Sequence, residues 1–332
     1  MAQRLSEISI KSYLNSSFET FFVLTEASVR PQKNGKECMS LILKDRDVEI
    51  EAKIFDINDS HKDTLKVGKV YYAVVDVKEY AKGKNGISCI INSMPQEMTD
   101  MRPEMFADWI EGYEDYNTRL GVLFNYISDS PYGKIAYDII QSRWEKFCIW
   151  GAAKSNHHTS FGGLLMHSVC VAENCKEIGE FYNKVYGMDF VNIKLLVSAG
   201  LLHDAMKTEE LTCDRQSGTM DYDVGSSLST HVVEIAIEVE KSALKLGIED
   251  KYVVGELKHC LLAHHGQLEY GSPITPSCME ASILNYMDEL DASGWRYSKA
   301  NKDLKIHERS TIWVGGKPFS VFRTSNNEDV EI

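Results

Sequence analysis

The pair His203-Asp204 stands at the end of a strongly apolar stretch, Leu195–Leu202. The stretch contains no charged residue, which predicts a helix that is buried on all sides. Burying an imidazole and a carboxylate at the end of such a helix is costly unless both groups have partners. A metal ion suits both, because histidine and aspartate are ligands of Mn, Fe, Co, Ni and Zn.

Further side chains of the same types extend this pair into a series of the form H…HD…H…HH…D. Its members are His167, His203, Asp204, His231, His264, His265 and Asp288. The helical period places His167, His264 and Asp288 on apolar stripes of three predicted helices, and His231 in the first turn of a fourth. Each histidine taken singly is better explained as a hydrogen-bonded core or cap residue. Together they predict a metal centre within one helical core.

The sequence around these residues is similar to that of a known family. The segments that carry the resemblance are His157-His158, Gly162–His167, Leu202–Lys207, Ala263–Pro273 and Tyr286–Ala292. They resemble the HD-domain superfamily of metal-dependent phosphohydrolases and, within it, the YhaM-type 3′→5′ exoribonucleases. The resemblance extends from about Glu19 to about Tyr297.

The resemblance implies a centre of two divalent ions that share the carboxylate of Asp204. One ion would take His167, His203, Asp204 and Asp288, and the other Asp204, His231 and one or both of His264 and His265. Manganese is the expected metal, with Fe, Co, Ni or Zn as alternatives. Two ions about 3.5–4 Å apart can clamp a phosphoryl group and lower the pKa of a water nucleophile. Asp204 is therefore expected to be essential for catalysis.

Lys207 and Asp291 are expected close to this centre. Lys207 lies about one helical turn after His203, where it could pair with an anionic substrate oxygen or a ligating carboxylate, or form a plain structural ion pair. We count it as a catalytic candidate. Asp291 lies one turn beyond Asp288 on the same predicted helix face. In the D-x-x-D pattern of the HD proteins that the chain resembles, the first Asp is the ligand, which implies that Asp288 binds the metal and that Asp291 supports a ligand.

Short strands separated by turns are predicted in the first 97 residues. They are Thr20–Thr25, Cys38–Leu43, Val48–Phe55, Val70–Tyr80 and Ile87–Ser93, with a short helical connector at about Asn58–Leu65. Five strands with a helix between the third and the fourth are the plan of an OB-fold. The same plan resembles the module that precedes the HD domain in YhaM-type enzymes.

Substrate contacts are expected on this module and beside the metal centre. OB-folds bind single strands by stacking bases on aromatic side chains within a basic groove. The candidates are Phe22, Phe55, Tyr80, Lys33, Lys36, Lys82 and Lys84. The two phenylalanines could instead belong to the core, and loop lysines are normally solvated. The resemblance places His157 and His158 at the rim of the metal site, although both could instead cap the next helix.

Charge is distributed unevenly along the chain, whose net charge is −13. Residues 1–97 hold 14 basic and 14 acidic side chains, and the rest holds 22 basic and 35 acidic ones. A nucleic acid would therefore meet the least repulsion at the N-terminal module.

No apolar run approaches the roughly 18 residues of a membrane span, and the N-terminus lacks the pattern of a signal peptide. We therefore expect a cytoplasmic protein that contacts no membrane.

The predicted architecture is multi-domain, with an all-β OB-like barrel followed by an all-α HD domain. The expected limits are 1–97 for the OB-like nucleic-acid-binding domain, 98–130 for a linker and leading helix, 131–310 for the HD domain and 311–332 for a C-terminal tail. Helices are predicted at about 104–128, 132–149, 161–184, 191–206, 229–246, 251–265 and 277–297. The acidic end of the tail, Asn327–Ile332, is expected to be disordered.

These features predict a metal-dependent phosphodiesterase that removes nucleotides from the 3′ end of single-stranded RNA, or of single-stranded DNA. One alternative is an HD-type nucleotidase or cyclic-nucleotide phosphodiesterase that acts on a small nucleotide; the OB-like module argues against it. A second alternative is a non-catalytic RNA-binding protein that keeps its metals structurally. The oligomeric state is left open, with a homo-oligomer among the options.

Overall fold

The computed structural model describes residues 2–32, 35–46, 48–58, 61, 64–80, 87–154, 158–214, 219–302, 304–314 and 317–325. The chain divides into two compact units. The first comprises Met1–Trp109 together with Asp214–Thr219, and the second comprises Ile110–Cys213 and Met220–Ile332. Each unit has its own hydrophobic core.

The described strands of the first unit belong to one sheet. They are β1 (Gln3–Arg4), β2 (Ser17–Pro31), β3 (Glu37–Asp45), β4 (Val48–Phe55), β5 (Val70–Glu79), β6 (Ile87–Ile91) and β7 (Gln96–Glu97). The sheet has the order β1-β2-β3-β4-β6-β5-β7, and β2 also pairs with β5. The strands β2 to β6 therefore close into a five-stranded barrel. Such a barrel is the OB architecture, so the predicted all-β OB-like barrel is confirmed.

Buried side chains that alternate with exposed ones along the strands fill the inside of this barrel. On β4, Ile50, Ala52 and Ile54 are buried, whereas Glu49 and Glu51 are exposed. Phe22 is fully buried and packs against Tyr71, with ring centroids 6.3 Å apart. Phe22 is therefore a core residue and not a stacking surface. Residues 59, 60, 62 and 63 of the predicted helical connector lie outside the described residues.

Helices dominate the second unit. They are α1 (Tyr113–Ile127), α2 (Pro131–Gln141), α3 (Trp144–Ile149), α4 (Gly163–Tyr186), α5 (Ile193–Leu202), α6 (Lys207–Glu210), α7 (His231–Lys245), α8 (Lys251–Ala263) and α9 (Met279–Asn301). The pairs β8–β9 (Leu211–Asp214, Thr219–Tyr222) and β10–β11 (Arg309–Val314, Lys317–Phe322) form small two-stranded sheets. Among the described helices, none combines the length and the apolar character needed to cross a membrane.

The helix α5 lies in the middle of the helical core. All residues from Leu195 to Leu202 are buried, as the apolar run predicts. Gly200 allows α5 to approach α4 closely, because a Cβ atom at that position would lie 2.8 Å from the Cα atom of Ala172. The residues that follow α5 therefore enter the protein interior and not its surface.

The predicted linker and leading helix differ from the structure. The first unit extends past residue 97 to Trp109, and Phe106 packs there with Val23 and Val70. The predicted helix 104–128 begins only at Tyr113, after Gly112, whose φ of 73° is left-handed. The apolar residues Leu120, Leu123 and Ile127 of this leading helix, α1, belong to the helical core. The predicted helix 132–149 is interrupted between α2 and α3.

The predicted C-terminal tail also contains structure. The strands β10 and β11 pair in an antiparallel hairpin that crosses the expected boundary at residue 310. Val321 is buried, and the ring of Phe319 lies 5.2 Å from that of Tyr297 on α9. The hairpin therefore packs on the last helix of the second unit. The predicted disordered end, Asn327–Ile332, lies outside the described residues.

Candidate metal centre

Helical segments of the second unit bring the ligand-type side chains together. These are His167 on α4, His203 and Asp204 directly after α5, His231 at the start of α7, His264 and His265 directly after α8, and Asp288 on α9. His265 and Asp288 are partly buried, and the others are buried. Five of the seven residues lie at helix ends, where side chains can converge without interrupting a helix.

The first group of ligand atoms comprises His167, His203 and Asp288. The Nε2 atoms of His167 and His203 lie 3.1 Å apart. Oδ1 of Asp288 lies 3.2 Å from Nε2 of His167 and 3.8 Å from Nε2 of His203. Three donor atoms from three different helical segments therefore face one another, which is the arrangement that a divalent cation stabilises.

Asp204 faces two sets of histidines with its two oxygen atoms. Oδ2 lies 3.3 Å from Nε2 of His167 and 3.5 Å from Nε2 of His203. Oδ1 lies 3.4 Å from Nε2 of His231. The carboxylate is therefore placed between the first group of ligand atoms and His231, where it can offer one oxygen to each side.

His231, His264 and His265 form the second group, with ligand atoms within 4.8 Å of one another. Nε2 of His231, Nε2 of His264 and Nδ1 of His265 are buried and make no hydrogen bond to any described residue. Burial lowers the pKa of His264 and His265, which keeps both rings neutral. Buried nitrogen lone pairs without partners are costly, and a cation would satisfy all three. The donor set therefore fits a borderline divalent metal.

In four of the histidine rings, Nε2 faces the other donor atoms and the second ring nitrogen, Nδ1, is held by a hydrogen bond. Nδ1 of His203 lies 2.8 Å from the carbonyl oxygen of Gly200, and Nδ1 of His264 lies 2.7 Å from that of Leu261. A carbonyl oxygen only accepts, so Nδ1 carries the proton in both rings. Nε2 is then the atom with the free lone pair. The ring orientation thus agrees with Nε2 as the ligand atom.

Carboxylates hold the other two rings in the same way. Oδ2 of Asp291 lies 2.6 Å from Nδ1 of His167, and Oε2 of Glu210 lies 2.7 Å from Nδ1 of His231. Asp291 and Asp288 therefore face opposite nitrogens of His167, as expected if Asp288 binds metal and Asp291 supports the ring. Glu210 was missed in the sequence, since neither motif nor periodicity marks it.

Lys207 is placed directly on the shared carboxylate. Its Nζ atom lies 2.8 Å from Oδ2 of Asp204. Burial opposes a charged lysine, but Asp204 outweighs it and raises the pKa of Lys207. Burial likewise opposes the charge of Asp204, but Lys207 and the neighbouring histidines hold the pKa of Asp204 well below its usual value. Both groups are therefore charged, and the pair neutralises part of the charge of the site.

The other predicted substrate contacts lie partly next to the ligand series and partly on the barrel. Nε2 of His158 lies 2.8 Å from Oδ2 of Asp291, and its backbone has a left-handed φ of 47°. Tyr80 is 49% exposed at the end of β5. Nζ of Lys36 lies 2.6 Å from Oδ1 of Asp56 in an exposed ion pair. Four further predicted contacts lie outside the described residues: Lys33, Lys82, Lys84 and His157.

This arrangement of helices and ligand-type residues is that of an HD domain, and the HD domain family matches residues 164–293. That segment contains every member of the ligand series. An HD domain implies that the second unit binds divalent metal.

Comparison with curated proteins extends the relationship to most of the chain. The 3′-5′ exoribonuclease YhaM of Listeria welshimeri is 30% identical over 302 residues, covering 87% of this chain and 90% of the relative. The protein of the same name from Bacillus pumilus is 30% identical over 280 residues, covering 83% and 84%. The chain therefore belongs to the YhaM family.

A solved structure is also similar to part of the chain. It is the second OB-fold domain of replication protein A from Methanococcus maripaludis, with 20% identity over 30% of this chain and 96% of that domain. The TM-score is 0.23, so the assignment of the barrel rests on its own strand order.

Asp288→Asn and Asp291→Asn are expected to separate a metal ligand from a residue that orients a ligand. Asp291→Asn should weaken binding of Mn²⁺ by about 10–100-fold, because it only loosens the His167 ring. Asp288→Asn should weaken binding more, because it removes an anionic donor. Calorimetric titration of the full chain with Mn²⁺ measures both. Glu289→Gln, on the exposed face of α9, is the control; the assignment is wrong if Asp291→Asn loses more affinity than Asp288→Asn.

Proposed function

We propose that this chain is a metal-dependent 3′→5′ exoribonuclease that hydrolyses phosphodiester bonds of single-stranded RNA. One observation carries the proposal: in a chain of the YhaM family, the Nε2 atoms of His167, His203 and His231 lie 3.3–3.5 Å from the two oxygens of Asp204. Metal-dependent hydrolysis needs such a preorganised set of donor atoms.

We infer that the centre takes two divalent ions, with manganese as the expected metal. The donor atoms divide into two sets that share Asp204. One set is His167, His203 and Asp288, and the other is His231, His264 and His265. When bound, such ions supply Lewis acidity toward a phosphoryl oxygen and lower the pKa of a water nucleophile.

The residues around these ligands prepare the site for an anionic substrate. Asp204 offers one oxygen to each set of histidines. Lys207, 2.8 Å from Asp204, places a positive charge beside the donor atoms, which is the basis for its proposed catalytic role toward an anionic substrate oxygen. Asp291 and Glu210 keep two of the rings in the orientation that a ligand needs.

We propose that the barrel is the nucleic-acid-binding domain and that the helical unit is the catalytic domain. Tyr80 and Phe55 are exposed aromatic side chains of the barrel, 49% and 40% exposed, which suits stacking on bases. Lys36 supplies a cation at an exposed position, and Lys33 and Lys82 stay candidates. His157 and His158 are proposed as contacts near the centre. Single-stranded DNA is a second candidate substrate; a homo-oligomer and a cytoplasmic location also stay predictions.

The two alternative functions are a phosphohydrolase that acts on small nucleotides and an RNA-binding protein without catalytic activity. A nucleotidase or a cyclic-nucleotide phosphodiesterase has no evident use for a barrel that binds single strands. A non-catalytic RNA-binding protein that keeps its metals structurally would bind them through the same buried histidine nitrogens. The barrel therefore favours a nuclease over a small-molecule phosphohydrolase, and a cleavage assay separates a nuclease from a non-catalytic protein.

Incubation of the full chain with Mn²⁺ and a 5′-labelled single-stranded RNA should give a ladder of labelled products that shorten with time. The label stays on the remaining RNA because nucleotides leave from the 3′ end. Asp204→Asn should abolish the ladder, since it removes the negative charge and replaces one of the two carboxylate oxygens by an amide nitrogen, and chelation of the metal should do the same.

Two other outcomes of this assay would contradict the proposal. An intact RNA together with hydrolysis of mononucleotides would identify a small-molecule phosphohydrolase. Immediate release of the label as a mononucleotide would show digestion from the 5′ end.

His231→Ala tests the number of ions. The variant should retain one equivalent of metal and lose the other, because it removes one nitrogen of the second set and leaves the first set intact. Elemental analysis of the purified full chain gives the ratio. His259→Ala is the control, since Nε2 of His259 accepts a hydrogen bond from the backbone N–H of Ser277 at 3.0 Å and is outside the donor set. Full metal content and full activity in His231→Ala would refute the two-ion proposal.

Tyr80→Ala tests the role of the barrel. It should weaken binding of single-stranded RNA by about 1–3 kcal/mol if a base stacks on the ring. Tyr186→Ala removes an exposed tyrosine of the helical unit and should leave binding unchanged. Fluorescence anisotropy with a labelled RNA measures both affinities. Equal losses in the two variants, or none in Tyr80→Ala, would exclude this ring as a stacking surface.

A further inference from the structure

Trp295 continues the face of α9 that carries Asp288 and Asp291. The spacings of three and four residues, 288 to 291 and 291 to 295, place the three side chains in one row along the helix. Trp295 lies about 10 Å from Asp288 along the helix axis. Its indole is therefore near the metal centre without being part of the donor set.

A row of aromatic rings connects the indole to the centre. The ring of His158 lies 5.2 Å from that of His167 and 5.9 Å from that of Trp295. His158 is fixed in this row by its hydrogen bond to Asp291. Trp295 is only partly buried, in contrast to His158 and His167. The row therefore ends in an aromatic surface that solvent can reach.

A cation stands at the outer end of this row. Nζ of Lys299, one helical turn after Trp295, lies 5.5 Å from the indole ring. Lys299 is exposed, so its ammonium can leave the indole and pair with an anion. The part of the chain after residue 97 has 35 acidic and 22 basic residues. Lys299, at the outer end of the row, thus places a positive charge in a part of the chain that otherwise repels a polyanion.

We propose that Trp295 and Lys299 form a subsite for single-stranded RNA next to the bond that is cut. A nucleobase stacks on the indole, and Lys299 pairs with a backbone phosphate. Stacking platforms combined with cations are the usual means of binding single strands without sequence preference. This subsite rests on the proposed exoribonuclease function and specifies which residues of the helical unit hold the strand.

Binding of a short, labelled phosphorothioate RNA to the full, metal-loaded chain tests the stacking contact, because the modified backbone resists cleavage during the measurement. Trp295→Leu should raise Kd by about tenfold or more, whereas Trp295→Phe should stay close to the parent. Trp313→Leu is the matched control, because Trp313 is 72% exposed and lies outside the row of rings. An unchanged Kd in Trp295→Leu, or an equal rise in Trp313→Leu, overturns the proposal.

Lys299→Gln tests the phosphate contact separately. Because Lys299 is exposed, this variant should fold normally and keeps the proposal testable even if Trp295→Leu does not fold. The slope of log Kd against log salt concentration should fall by about 0.7, the value for one phosphate of a single strand. Lys251→Gln is the matched control, since Nζ of Lys251 also lies over an aromatic ring, 5.2 Å from that of Tyr252. Equal slopes for the parent and Lys299→Gln overturn the phosphate contact.

Cleavage assays distinguish failure of the subsite from failure of the proposed function. If the parent degrades RNA while Trp295→Leu binds RNA like the parent, the subsite is wrong and the function stands. If the parent never degrades RNA but Trp295→Leu still weakens binding, the subsite stands and the function is wrong. For an active parent, Trp295→Leu should mainly raise KM for RNA.

Discussion

The buried carboxylate of Asp204 determines how the helices of the second unit have to meet. Its oxygens lie 3.3–3.5 Å from three histidine nitrogens and 2.8 Å from Nζ of Lys207. A buried carboxylate without such partners would cost several kcal/mol. The segments that supply the partners must therefore end or cross at the end of α5. The close approach of α4 at Gly200 is part of the same requirement.

The sequence contained enough information for the barrel and for the ligand series. The alternation in Val48–Phe55 and the apolar run Leu195–Leu202 are both found as predicted, in β4 and in α5. Both signals are strong because the polarity pattern matches the burial pattern: alternating residues match a strand with one buried face, and a continuous apolar run matches a helix buried on all sides. Helical periodicity also places His167 and Asp288 each on an apolar stripe of its own helix, and the structure brings their atoms to 3.2 Å of each other.

Other features depend on contacts between distant parts of the chain, which no local pattern encodes. Glu210 meets His231 only because the segment after α6 folds back toward the start of α7. The first unit extends past residue 97 to Trp109, where Phe106 packs with Val23 and Val70, which are distant in the sequence. Trp295 is unremarkable in the sequence and becomes noticeable only beside His158.

The hydrogen bonds to the Nδ1 atoms divide the histidines into two kinds. His203 and His264 are fixed by carbonyl oxygens of their own helix ends, Gly200 and Leu261, which no side-chain substitution removes. His167 and His231 depend on the carboxylates of Asp291 and Glu210, which a single codon change can alter. Each donor set thus has one ring held by a backbone carbonyl and one held by a carboxylate, and the second set also contains His265. Substitution of Asp291 or Glu210 can therefore change the basicity of one ring in either set while the donor residues themselves are kept.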